Sequence, residues 1–138
     1  MKKIIAGGTI VTATDTYKAD VLIEEGIIKQ IATSIPYEDA EVIDATGKIL
    51  FPGGIDPHTH LDMPFNNTVT DDDWESGTIA AAFGGTTTII DFCISAGSPT
   101  LMDAIDTWHS KSKDKAVIDY GFHLMIGDLN EQRLKELP

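Results

Sequence analysis

The sequence predicts a mixed α/β protein, with a β layer over residues 1–50 and, over residues 51–138, alternating strands and helices of the kind that build a parallel sheet or barrel. Three observations carry this expectation. Short apolar runs broken by glycine-containing turns fill the first fifty residues. Beyond Phe51, β-branched runs alternate with segments of helical spacing. The composition, 138 residues with 42% hydrophobic and 23% charged side chains, is that of a globular chain that buries about two-thirds of its unfolded surface.

In the first region, Lys3-Ile4-Ile5-Ala6 leads through Gly7-Gly8 into Thr9-Ile10-Val11, a strand with a bulge or turn signal inside it. Val21-Leu22-Ile23 and Ile27 to Ile31 flank Glu24-Glu25-Gly26, which reads as a tight hairpin with glycine at positive φ. Glu41 to Asp44 and Lys48 to Phe51 flank Ala45-Thr46-Gly47, and the same reading makes them a second hairpin of an antiparallel sheet with one face exposed.

The second region opens with Gly54-Ile55-Asp56 as a short strand. Asp71 or Asp72 caps a helix that begins Asp73-Trp74-Glu75 and stops at Gly84-Gly85. Thr86 to Phe92 is β-branched and apolar, as a buried strand should be. Ser98-Pro99 starts a second helix with Leu101, Ile105 and Trp108 on its inner face. Val117 to Met125 is a further strand, and Leu129 to Leu137 begins a third helix.

The charge balance excludes several function classes. There are 22 acidic against 10 basic residues, a formal net charge of −12, which argues against a nucleic acid or an anionic membrane as partner. No window approaches the roughly 20 apolar residues of a membrane span, and residues 1–25 lack a secretory pattern. With a lone cysteine, Cys93, the expected compartment is the cytoplasm. No lysine or arginine lies between Lys48 and Lys111, although Asp56, Asp62, Asp71, Asp72, Asp73, Glu75, Asp91, Asp103 and Asp106 do. That interval reads either as a solvated acidic face with helix-start aspartates or as a region that works with bound cations.

The chemistry concentrates in Phe51-Pro52-Gly53-Gly54-Ile55-Asp56-Pro57-His58-Thr59-His60. Histidines at i and i+2 of an extended segment project to one side and can reach one metal ion. Pro57 forces Asp56 towards extended geometry, and reactive groups of parallel α/β folds gather at the carboxyl ends of strands. His58 and His60 are therefore the candidate metal ligands, half of a binding site. His109, near a helix end, and His123, within a strand, read as structural, His123 less firmly because a strand residue can face a site.

The block Gly53 to Phe65, together with Asp73 to Phe92, closely resembles the start of the hydantoinase/dihydropyrimidinase family of metal-dependent amidohydrolases. Gly8-Thr9-Ile10-Val11 and Asp119-Tyr120-Gly121-Phe122-His123 extend the resemblance over essentially the whole chain. It implies a composite β-sandwich, to which residues 1–50 contribute, and a TIM (β/α)8 barrel whose first part is residues 51–138. It further implies two divalent ions, usually zinc, held by the His-x-His pair, a carboxylated lysine, two further histidines and an aspartate. A hydroxide bridging the ions opens a small cyclic amide to an N-carbamoyl amino acid.

By the same resemblance, residues Leu61 to Asp72 form a mobile loop over the substrate, in which Met63 and Phe65 are either apolar substrate contacts or ordinary loop packing; Asp56 is expected to hydrogen-bond near the metal site, and Asp91 either to support that site or to be structural. The assembled enzyme is expected to be a homotetramer. Only about three of eight βα units are present, no lysine offers itself for carboxylation, and no complete catalytic set exists, so the barrel is incomplete and the isolated chain is expected to be inactive. An allantoinase- or dihydroorotase-type hydrolase and a non-catalytic scaffold of the same fold are the alternatives.

Overall fold

A computed structural model of the protein describes residues 1–137. The chain divides into two compact units, Met1–Pro52 and a second that begins at Gly53. Among the described residues no helix is long and apolar enough to cross a membrane.

The first unit is one mixed sheet built on a central strand, β1 (Lys2–Val11). β2 (Thr16–Glu24) pairs with it antiparallel, and β3 (Ile27–Ala32) pairs antiparallel with β2. The β2–β3 turn is the expected hairpin: Glu25 and Gly26 take φ of 50° and 75°, the double positive-φ pair of a type I′ turn. Between Ile5 and Gly8 the register with β2 slips by one residue, so β1 changes face along its length. Ile4 and Ala6 pack with Leu22 and Ile35, whereas Ile10 packs with Ala19 and Val21. β2 is consequently buried on both faces from Ala19 to Leu22.

The second expected hairpin does not form. β4 (Glu41–Asp44) and β5 (Ile49–Leu50) both run parallel to β1, the first beside Lys3 to Ala6 and the second beside Thr9 and Ile10. Ala45-Thr46-Gly47 steps along the bulge instead of reversing the chain, since the Ala45 amide donates to the Ala6 carbonyl and the Thr9 amide to that of Lys48. A glycine at φ 73° is common to both geometries, which is why the local signal misled. The sheet is thus mixed, not antiparallel. Its apolar face carries a groove of about 250 Å³ lined by Ile5, Ile10, Tyr17, Val21, Ile28 and Leu50 among others.

The second unit holds a parallel sheet in the order β10 (Asp119–Met125), β9 (Thr86–Ile94), β6 (Gly54–Thr59). Between β6 and β9 lie a two-strand hairpin, β7 (Pro64–Phe65) with β8 (Thr68–Val69), and helix α1 (Trp74–Phe83). Helix α2 (Leu101–Ser112) joins β9 to β10, and a single turn, α3 (Glu131–Leu134), follows. Asp73, one or two residues beyond the expected caps, starts α1: its side chain accepts from the Glu75 and Ser76 amides while Ser76 Oγ accepts from the Asp73 amide. Those bonds from Ser76 hold the Asp73 carboxyl below its ordinary pKa. α2 starts at Thr100, capped reciprocally with Asp103, two residues beyond the expected Ser98-Pro99 start. Trp74, Ile89, Cys93 and Trp108 form the core between helices and sheet.

β6 enters beside β9 closely enough that a Cβ at Gly53 would collide with the Thr87 side chain. Buried Asp20 ties the first unit together, accepting from the Gly7 amide at 2.9 Å and the Ile35 amide at 3.0 Å. Asp20→Ala strands both amides and is expected to lower unfolding free energy by about 3 kcal/mol, read as a shifted urea midpoint; an unchanged midpoint would contradict this role.

Candidate metal centre

The histidine pair sits where β6 stops pairing normally. Asp56 lies opposite Ile89 and Thr59 opposite Asp91, so β6 advances three residues while β9 advances two. Pro57, which has no amide hydrogen, falls inside this bulge. Side chains supply the missing backbone partners. Asp56 Oδ1 accepts from the His58 amide at 3.1 Å, and Asp91 Oδ2 accepts from the Leu61 amide at 2.8 Å and the Thr59 hydroxyl at 2.9 Å.

Strand alternation then sorts the neighbourhood into two faces. On one face His58, His60 and Phe92 meet, with ring centroids 4.5 Å (His58 to Phe92) and 5.3 Å (His60 to Phe92) apart, and His123 packs tilted against Phe92 at 4.9 Å. His123 Nε2 also reaches the Pro57 carbonyl at 3.1 Å. On the other face lie Thr59, Asp91 and Trp108.

The two Nε2 atoms of His58 and His60 converge to 3.2 Å. Two imidazole nitrogens bound to one tetrahedral zinc, each at 2.0–2.1 Å, would stand about 3.3 Å apart. The pair's chemistry and spacing therefore fit one divalent ion, for which His58 and His60 would be ligands. Among the described residues no group of three or more His, Cys, Asp or Glu side chains is placed to hold a metal.

The remaining sequence candidates separate. Asp56 is exposed and its carboxylate is engaged by the His58 amide, while Asp91 is fully buried. Residues 61–72 are not an irregular loop: Asn66 and Asn67 at φ 45° and 65° close the β7–β8 hairpin, the Asp62 amide donates to the Asp72 carbonyl, and Met63 exchanges backbone and side-chain bonds with Thr70. Met63 packs against the Trp74 cluster, whereas Phe65 is 60% exposed. His109 stands against Phe122 at 4.8 Å in the last turn of α2. Sequence reasoning missed Phe92 and undervalued His123; the two share a cross-strand register position on adjacent strands, a pairing that strand alternation alone does not give.

A family model described as "Amidohydrolase family" matches residues 41–125. The chain is 64% identical over 138 residues to the D-hydantoinase of Geobacillus stearothermophilus, covering 100% of this chain and 29% of that protein. It superposes on a crystal structure of D-hydantoinase with TM-score 0.94 at 63% identity, and on the dihydropyrimidinase of Brevibacillus agri NCHU1002 with TM-score 0.94 at 60% identity. Each superposition covers 99% of this chain and 30% of the other. The chain thus spans about a third or less of the length of the relatives it matches.

Cys93 lies two residues from Asp91 with its side chain on the helix-facing side of β9, fully buried. Burial, with a smaller contribution from the Asp91 charge, pushes its thiol up to about 12. At pH 8 it is a protonated thiol and not a nucleophile. Iodoacetamide is expected to leave the native protein unmodified at pH 8 and to label it once guanidinium unfolds it; rapid labelling of the native protein, read by mass spectrometry, would refute this.

Proposed function

We propose a function from one premise: the chain belongs to the amidohydrolase family, whose members are metal-dependent. On our reading it forms the N-terminal portion of a cyclic-amide hydrolase of the hydantoinase/dihydropyrimidinase type, and residues from Gly53 onward are the first part of its barrel. Residues 1–50 form one layer of a β-sandwich, whose exposed apolar groove would receive the second layer. Identity of 60% or more to D-hydantoinases and a dihydropyrimidinase supports this branch.

The observation that carries the chemical reading is the convergence of His58 and His60 Nε2 to 3.2 Å. These two residues would hold a divalent ion, with zinc the best match to imidazole donors, and a second ion would need ligands from elsewhere in the enzyme. Bound there, such ions supply an activated water and polarise the ring carbonyl. In the net reaction water adds across one C–N bond of the cyclic amide: the oxygen joins the carbonyl carbon, a proton reaches the departing nitrogen, and the product is an N-carbamoyl amino acid.

The chain's own residues orient the site and shape its rim. Asp56 fixes the backbone at His58, and the Phe92 ring packs, tilted, against both imidazoles. Phe65, exposed at the hairpin, and Met63, half-committed to the core, are the proposed apolar contacts for a ring substituent. The assembled enzyme is proposed to be a cytoplasmic homotetramer.

In the complete gene product, His58→Ala or His60→Ala is expected to reduce both bound metal and ring opening of hydantoin and dihydrouracil more than about a hundredfold. Retained activity with either variant would sink the assignment. Residues 1–138 expressed alone are expected to show no hydrolysis above background. Phe65→Ala should raise KM about tenfold for hydantoins bearing an aromatic substituent and leave unsubstituted hydantoin nearly unaffected; equal effects on both would remove Phe65 from the substrate rim.

A further inference from the structure

The buried face behind the histidines holds a second constellation. Asp91 is fully buried and accepts three hydrogen bonds: from the Thr59 hydroxyl at 2.9 Å and the Leu61 amide at 2.8 Å on Oδ2, and from Trp108 Nε1 at 3.1 Å on Oδ1. Thr59 and Leu61 are the two residues flanking His60. One turn further along α2, Lys111 Nζ lies 4.7 Å from the centre of the Trp108 ring and donates to the Asp62 carbonyl at 2.6 Å. The segment Thr59 to Asp62, which starts at the last β6–β9 ladder pair and runs on past the end of β6, is therefore held by β9 and α2 side chains.

We infer that Asp91, braced by Trp108, is a positioning residue for His60: it fixes the backbone on both sides of that imidazole and so sets the affinity of the His58–His60 pair for its metal. This rests on the metal reading given above and deepens it. The physical reason is entropic. Two ligands converge on one ion at low cost only if their backbone is already in place, and here the usual ladder bonds are absent at Pro57–His58. A carboxylate with two acceptor oxygens can bond the strand on one side and the helix on the other. An amide in its place would turn an N–H towards either the Thr59–Leu61 donors or the Trp108 donor.

The test uses the complete gene product, with cobalt and zinc dissociation constants measured by competition against a chromogenic chelator, and the cobalt absorption spectrum recorded alongside. Asp91→Asn is expected to weaken metal binding 10- to 100-fold and to alter the cobalt spectrum. Thr59→Val, which removes one donor at constant shape, should weaken it about tenfold. Asp20→Ala serves as the control, since its hydrogen bonds lie within the first unit and it should leave both readouts unchanged.

If His58→Ala and His60→Ala weaken binding but folded Asp91→Asn and Thr59→Val do not, the positioning inference is wrong and the metal reading stands. If the histidine variants bind metal as tightly as the parent protein, the metal reading itself fails. Should Asp91→Asn not fold, Thr59→Val decides: unchanged affinity overturns the inference, and a tenfold loss supports it. Equal weakening by Asp20→Ala would also overturn it, because general destabilisation would then account for the effect.

Discussion

The second unit depends on how β6 compensates for a backbone amide it lacks. Pro57 cannot donate to β9, and the ladder between the two strands slips by a residue across Pro57 and His58. Without side-chain acceptors the exposed His58 amide would turn to water, while the part-buried Leu61 amide would lose its partner at about 1–3 kcal/mol. Two carboxylates close the gap, Asp56 on the His58 amide and Asp91 on the Leu61 amide. The bulge frees the histidine side chains from a regular pleat, and the carboxylates keep that freedom from becoming disorder.

From this follows the division of labour between the two faces of the sheet. Strand residues that alternate outward gather three imidazoles around Phe92; those that alternate inward, Ile89 and Cys93, build a dry core with Trp74 and Trp108 of the helices. Asp91 belongs to the inner face yet bonds the strand that carries the outer one. Burial beside it is also what makes Cys93 inert, since a charge and a dry core both disfavour the thiolate. Chemistry on one side is thus supported by packing on the other.

How much of this could be read from residues alone depends on the range of the interaction concerned. The β2–β3 hairpin, the stop of α1 and the strand–helix alternation after Gly54 were legible because turn glycines, caps and apolar periods are local. The β4–β5 connection was not: Ala45-Thr46-Gly47 has the composition of a reversal, and only its pairing with the bulge in β1, some forty residues away, makes it a step. At the site, the i, i+2 spacing of His58 and His60 was enough to place them together. Phe92 and His123 needed the register of three strands, and Trp108 and Lys111 needed the docking of α2, none of which the sequence states.

Several carboxylates of the lysine-free acidic interval have a structural account, one compatible with the cation role proposed for the histidine pair within it. Asp56, Asp73, Asp91 and Asp103 each accept from backbone amides, at a bulge, a helix start, a strand exit and a second helix start. Asp72 accepts from the Ser76 hydroxyl. These carboxylates are used as hydrogen-bond acceptors where the backbone has donors to spare, chiefly at helix N-termini and at the lapsed ladder. The interval's boundary is equally informative. Lys111, which ends it, neither approaches the imidazoles nor floats free; it is spent on the Asp62 carbonyl and the Trp108 ring. No fixed ammonium or guanidinium is therefore found in contact with the histidine pair among the described residues, and a divalent ion bound there would meet imidazole lone pairs without a resident cation competing for them.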